Sequence, residues 1–134
     1  MPAPTDLFNA YLNALLARDW ASVRSLIHAD YTYTGSDGQE HKGPDAAIAQ
    51  AEPFTTAFPD LRLEVKSIHE VGDVAAAEFV ASGTHDGDLM GIAPTGKKMT
   101  MPVCDVIEVR DGKIYREREY YDTMHLMMQL GVSS

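Results

Sequence analysis

Cysteine is almost absent from this chain: Cys104 is the sole one in 134 residues. An internal disulfide is impossible, Cys-based metal spacing is excluded, and a reducing compartment fits best. Positive charge is also scarce. The 11 basic residues stand against 20 acidic ones, a formal net charge of -9. No basic stripe gathers them, so no nucleic-acid partner and no membrane surface is expected, and the charge reads as solubility. No apolar run approaches the roughly 20 residues of a membrane span. Met1-Pro2-Ala3-Pro4 has neither the charged nor the apolar region of a secretory signal, so a cytoplasmic location is expected. His28, His41, His69, His85 and His125 form no i,i+4 pair and no cluster, so no metal is expected. Repeats, low-complexity tracts and linkers are missing too.

The length suits one domain, residues 1–134, with a core of its own. Leu7, Phe8, Tyr11, Leu12, Leu15 and Leu16 recur at helical spacing after a cap at Thr5 or Asp6. A short second helix is predicted over 19–27, with Trp20 and Val23 facing the first. Tyr31 to Thr34 reads as a strand, Gly35-Ser36-Asp37-Gly38 as a turn, and Gln39 to Lys42 as a return strand. Gly43-Pro44-Asp45 opens a third helix, which Pro53 kinks or ends, with Phe54 and Phe58 on its buried side. From Leu61 the period changes to two. Strands are predicted over 61–66, 74–84, 99–109 and 114–122, with turns at Gly72-Asp73 and Asp111-Gly112 and a loop over 86–98. A closing helical turn spans 124–130, ended by Gly131. Helices first and strands afterwards predict an α+β fold.

Several short motifs carry a resemblance: Gly83-Thr84-His85-Asp86-Gly87, Gly91 to Lys97, Asp111-Gly112-Lys113-Ile114, Tyr120-Tyr121-Asp122 and Gln129-Leu130-Gly131. On these, over residues 83 to 131, the chain resembles the SnoaL-like polyketide cyclase family of the nuclear-transport-factor-2-like superfamily. The resemblance implies a cone-shaped α+β fold. Its N-terminal helices pack on a curved, mostly antiparallel sheet and enclose a cavity for a small hydrophobic molecule. It also implies a homodimer, no cofactor, and an aspartate at the end of the last strand as general acid/base in aldol closure. Asp122 stands there; its other reading is the cap of the terminal helix. An apolar cavity would raise its pKa toward working pH.

Strand register suggests its neighbours. With Asp111-Gly112 as a two-residue turn, Asp105 opposes Arg118, Val103 opposes Tyr120 and Met101 opposes Asp122, all on one face. A bulge would shift the register by one and break the set. The set Asp105, Arg118, Asp122 is similar to that of limonene epoxide hydrolase. That family's arginine two residues before the first aspartate is replaced here by Val103. The plainer reading of Asp105 and Arg118 is a salt bridge. His85, after a strand, is a candidate to orient a carbonyl or shuttle a proton. Tyr31 and Tyr33 share a face; the hydrolase resemblance implies a water-holding tyrosine from this region, and the other reading is packing against the first helix. Trp20, Phe54 and Phe58 are cavity wall or core. Met90, Met99, Met101, Met124, Met127 and Met128 form adaptable core or a soft mouth. Gly91 to Lys98 is not a phosphate loop: Lys98 stands where Ser or Thr is needed, and a strand follows.

Three functions follow from these residues. One is a cofactor-independent cyclase or isomerase on a small hydrophobic carbonyl compound. Another is an epoxide hydrolase using Asp105, Arg118 and Asp122. The last is a non-catalytic binder, favoured if Asp122 only caps its helix and no titratable group is left in the cavity.

Overall fold

The computed structural model describes residues 2–132; Met1, Ser133 and Ser134 of the expected domain lie outside the described residues. Helix α1 (Pro4–Leu16) buries Leu7, Phe8, Tyr11, Leu12 and Leu15, the predicted stripe. It starts earlier than expected, with Ala3 as N-cap and Pro4 in the first turn, where a missing N–H costs nothing. Helix α2 (Trp20–Ser25) is capped by Asp19, which accepts from the Ser22 amide at 3.1 Å. Strand β1 (Ile27–Thr34) pairs with the short β2 (Glu40–Lys42) as a hairpin. Helix α3 (Asp45–Ala57) runs through Pro53 without ending.

Strands β3 (Arg62–Val71), β4 (Val74–Thr84), β5 (Lys98–Arg110) and β6 (Lys113–Tyr120) form the predicted antiparallel meander, followed by α4 (Thr123–Gln129). The sheet order is β2-β1-β6-β5-β4-β3, and β1 runs parallel to β6. That parallel pairing was not foreseen, and it places Tyr33 level with Glu117. The inward face is read from alternate buried residues: Ala75, Ala77, Phe79 and Ala81 on β4, and Met99, Met101, Val103, Asp105 and Ile107 on β5. The alanines leave room for α1, whose Phe8 ring sits 6.2 Å from that of Phe79.

The hairpin between β5 and β6 decides which β6 residues face inward. Asp111 and Gly112 are both at positive φ (54° and 72°), as a two-residue turn of this hand requires, and Arg110 pairs with Lys113. One residue later the ladder slips. Val109 pairs with Ile114 but Glu108 pairs with Arg116, so Tyr115 is an inserted residue without a partner. Its ring is held outside by Arg110, 3.9 Å from the ring centre, and by an edge-on contact with His28. Beyond this bulge Asp105 opposes Glu119, not Arg118, and Cys104 opposes Tyr120.

The 86–98 loop docks on the end of α3: the Asp86 and Gly87 amides both donate to the Ala57 carbonyl, at 3.1 and 3.0 Å. A Cβ on Gly87 would lie 2.1 Å from the Thr56 carbonyl oxygen. Both sides of that clash are backbone, so neither can rotate away. Gly87→Ala is therefore expected to cost about 3 kcal/mol, the upper end for overpacking, seen as a lower urea midpoint at unchanged m-value.

Candidate active site

The bulge turns two glutamates into the molecule. Between α1, α3 and the sheet lies a cavity of about 60 Å³, walled by apolar side chains such as Leu12, Phe79, Met101 and Val103. Its polar wall is made by Asp105, Glu117, Glu119, Tyr11, Gln50 and Tyr121. One carboxyl oxygen from each of Asp105, Glu117 and Glu119 lies within 4.8 Å of those of the other two. Asp105 and Glu117 are 1% and 0% exposed. Among the described residues, no Lys, Arg or His lines this cavity.

Tyrosine hydroxyls satisfy part of this charge. Tyr11 from α1 and Tyr31 from β1 donate to Glu117 Oε1, at 3.0 and 2.6 Å. Tyr33, two residues on, donates to Glu119 Oε1 at 2.9 Å. The Gln50 amide, from α3, donates to the Tyr11 hydroxyl at 2.8 Å. A period of two on β1 and the helical stripe on α1 are what bring these three phenols to one place.

Three carboxyls this close cannot all be ionised at neutral pH. Burial, with Glu117 second, pushes the Asp105 carboxyl well above its usual range. Burial, again with Glu117 second, pushes Glu119 up to about 8. The Tyr33 hydrogen bond acts against that shift. Tyr121 is raised to about 12, by burial and then by Glu119. Tyr11 and Tyr31 are raised by burial and then by Glu117, so both stay hydroxyl donors. The carboxyl spacing would also suit a divalent cation. However, the hydroxyl protons already aimed at Glu117 and Glu119, and the proton that burial favours on Asp105, answer the same crowding.

A second space adjoins the first. A cleft of about 790 Å³ runs between the β1–β2 hairpin and α3, reaching Met90 and Thr123. Gln50, Phe54 and Tyr121 line both spaces. The rings of Phe54 and Tyr121 meet edge to face at 6.0 Å.

Several expected site residues lie elsewhere. Asp122 is exposed and caps α4, accepting from the His125 amide at 3.0 Å. Asp122→Ala is expected to lose about 1 kcal/mol of stability, measured by thermal melting, as a cap does. Arg118 and Tyr120 do share a face, as the parity required, but it is the outer one. Arg118 donates to Glu108 at 2.6 Å, and Tyr120 is 51% exposed. The one-residue slip at Tyr115 is the cause of both corrections. The Asp105, Arg118, Asp122 set of the hydrolase reading is thus dispersed over two faces and a helix cap. Of the expected acid/base residues, Asp105 alone reaches the cavity, with Met101, Val103 and Phe54 also in its wall.

His85 is fully buried but lines neither space. Its Nδ1 accepts from the Thr95 amide at 3.3 Å and lies 3.0 Å from the Thr95 hydroxyl, and its ring packs on Phe58. It pins the 86–98 loop. Phe58, 0% exposed, and Trp20 are core rather than wall. Tyr31 faces Glu117 from behind, and Tyr33 lines the outer cleft. The methionines divide: Met99 and Met101 are core, Met90 is at the cleft, and Met124 and Met128 are exposed. No helix among the described residues is long and apolar enough to cross a membrane.

An α+β cone whose inner wall carries raised carboxyls defines a class of small proteins suited to acid/base chemistry on apolar ligands. The chain belongs to the SnoaL-like polyketide cyclase family, whose profile matches residues 5–130. It is 32% identical over 111 residues to the aklanonic acid methyl ester cyclase AcmA of Streptomyces galilaeus, covering 81% of this chain and 77% of that one. It is also 32% identical over 112 residues to the nogalonic acid methyl ester cyclase of Streptomyces nogalater, covering 81% and 83%. Among solved structures, IdmH of Streptomyces antibioticus superposes with a TM-score of 0.83 at 28% identity, over 96% of this chain and 99% of that one. The cone-shaped fold implied by the sequence motifs is thus the observed one.

Proposed function

We propose that this protein is a cofactor-independent cyclase that closes a ring by intramolecular aldol addition within a polyketide methyl ester, with Glu119 as the acid/base group. The observation that carries this reading is the Glu119 carboxyl on the cavity wall, clustered with those of Asp105 and Glu117; burial there pushes it up to about 8. A carboxylate with that affinity for protons is a stronger base than an exposed one, and it is still partly ionised near neutral pH. Ionised Glu119 takes the proton from a carbon flanked by two carbonyls. The resulting enolate carbon bonds to a ketone carbon elsewhere in the same molecule. The proton on Glu119 then passes to the new alkoxide, which leaves a hydroxyl and regenerates the carboxylate. Gln50 and Tyr121 supply uncharged donors on the same wall for the oxygen of the enolate.

The sizes of the two spaces support a divided substrate. A cavity of 60 Å³ takes only the reacting end. The cleft beside it takes the rest of the molecule, against Tyr33, Phe54 and Tyr121. The binder reading was favoured by a cavity without a titratable group once Asp122 was occupied as a cap. Glu119 and Asp105 line that cavity, which supports the catalytic reading instead. The cytoplasmic location and homodimer expected from the sequence belong to the same proposal.

The test is incubation of the purified protein with aklanonic or nogalonic acid methyl ester, followed by chromatography and mass spectrometry. A new species of unchanged mass, formed only with protein, is expected. Inertness towards both esters, together with hydration of an epoxide panel, would overturn the reading.

A further inference from the structure

The acidic cluster contains more carboxyls than an acid/base step needs, and two of their oxygens point to how the surplus is used. Asp105 Oδ1 and Glu117 Oε2 are both buried and have no hydrogen-bond partner among the described residues. Two such acceptors are costly when left bare, since each loses its water without replacement. One carboxyl oxygen of Asp105 lies within 4.8 Å of one of Glu117, close enough for a single proton shared between the two groups to relieve both. The two tyrosine hydroxyls on Glu117 Oε1 favour the negative charge on the Glu117 side of that pair. Asp105, directly opposite Glu119 in the ladder, then carries the proton.

We propose that Asp105 and Glu117 are a one-proton pair of positioning residues, and that the single negative charge the pair keeps beside Glu119 sets the pH at which Glu119 exchanges its proton. The groups facing Glu119 are Tyr33 from β1, Tyr11 from α1, Asp105 from β5, Glu117 on its own strand, and Tyr121 beyond it, while Tyr31 reaches Glu117 from behind. The tyrosines stay uncharged near neutrality, because each is raised, so the one acidic neighbour of Glu119 is the Asp105–Glu117 pair. From α3 come Gln50 and Phe54, which are uncharged; the residues of β3 and β4 in the cavity wall are apolar. No cation offsets the charge of the pair among the described lining residues. The inference rests on Glu119 as the acid/base group for its functional meaning, but the charge arrangement is measurable without any substrate.

The experiment is a carbon-13 NMR titration of the side-chain carboxyls in protein labelled at glutamate, with the Glu119 signal assigned from Glu119→Gln. Wild type should show Glu119 titrating near pH 8. Asp105→Asn keeps the hydrogen bond and removes no charge, so the Glu119 midpoint should stay within about half a unit. The double variant Asp105→Asn with Glu117→Gln removes the charge while keeping shape and tyrosine contacts. Its Glu119 midpoint should fall by about one to three units, the size of a close like-charge effect. Amide spectra of each variant check that the fold is kept. An unchanged midpoint in the double variant would overturn the proposal, and so would a full fall already present in Asp105→Asn. Failure of the ester assay with these shifts intact would instead count against the cyclase reading alone.

Discussion

Glu119→Gln is expected to lower kcat/KM for ring closure by about 10²- to 10⁴-fold, the usual contribution of one positioned acid/base group. The loss should fall on kcat. Gln has the shape of Glu, its oxygen can still accept from Tyr33, and the apolar wall that binds substrate is untouched. Wild-type kcat/KM should climb with pH and level off above about 8, as the raised carboxyl ionises. In Glu119→Gln that dependence should vanish. Glu119→Asp, which retracts the carboxyl by one methylene, should keep the pH profile but lose rate, because geometry is at stake rather than charge.

The second large effect is on stability, and it has the opposite sign. The Glu119 carboxyl holds its proton more tightly in the fold, about 8 against an ordinary 4.5. Its contribution to stability is therefore fully present below pH 4.5 and is lost as pH rises to about 8. Asp105, raised well above its usual value, acts in the same direction. One pKa unit is about 1.4 kcal/mol, so the loss over that window is on the order of a few kcal/mol. That is a sizeable part of the ordinary 5–15 kcal/mol of a domain. Glu119→Gln keeps the shape and removes the titration. It should melt about 5–10 °C above wild type at pH 8.5, with the gap closing toward pH 5. An inactive variant that is more stable than wild type is what a strained functional group produces. Calorimetry at the two pH values checks it; a variant less stable at pH 8.5 would contradict the burial argument.

The chain shows its fold plainly and its site only in part. Helical spacing in residues 7–16, period two after Leu61 and the Asp111-Gly112 turn are strong local signals, and each became the element it suggested. On β5 the expected face of Met101, Val103 and Asp105 is the buried one, with Met99 and Ile107 on the same parity. Strand β6 was different. In Arg116-Glu117-Arg118-Glu119 both parities are charged, so period two cannot say which side is buried. The bulge at Tyr115 has no signature either, because the alternation on each side of it is regular. The polar tips of Tyr11, Tyr31 and Tyr33 held the missing clue. Three phenols aimed at one core need acceptors. With Arg118 inside the only acceptors were aspartates, whereas Glu117 and Glu119 inside serve all three. Asp122 misled for a physical reason as well: a residue closing a strand and opening a helix fits a cap as well as a catalytic position, and here the α4 amide takes it.

The central claim is that chemistry belongs to Glu119 inside the cone and not to Asp122 at its rim. Its most direct test is kcat/KM for one polyketide methyl ester, measured side by side for wild type, Glu119→Gln and Asp122→Asn. Asn remains a good helix cap, so the last variant should keep its fold. The account predicts a loss of about 10²-fold or more in Glu119→Gln and wild-type rates in Asp122→Asn. Full activity in Glu119→Gln, with the loss in Asp122→Asn, would contradict it.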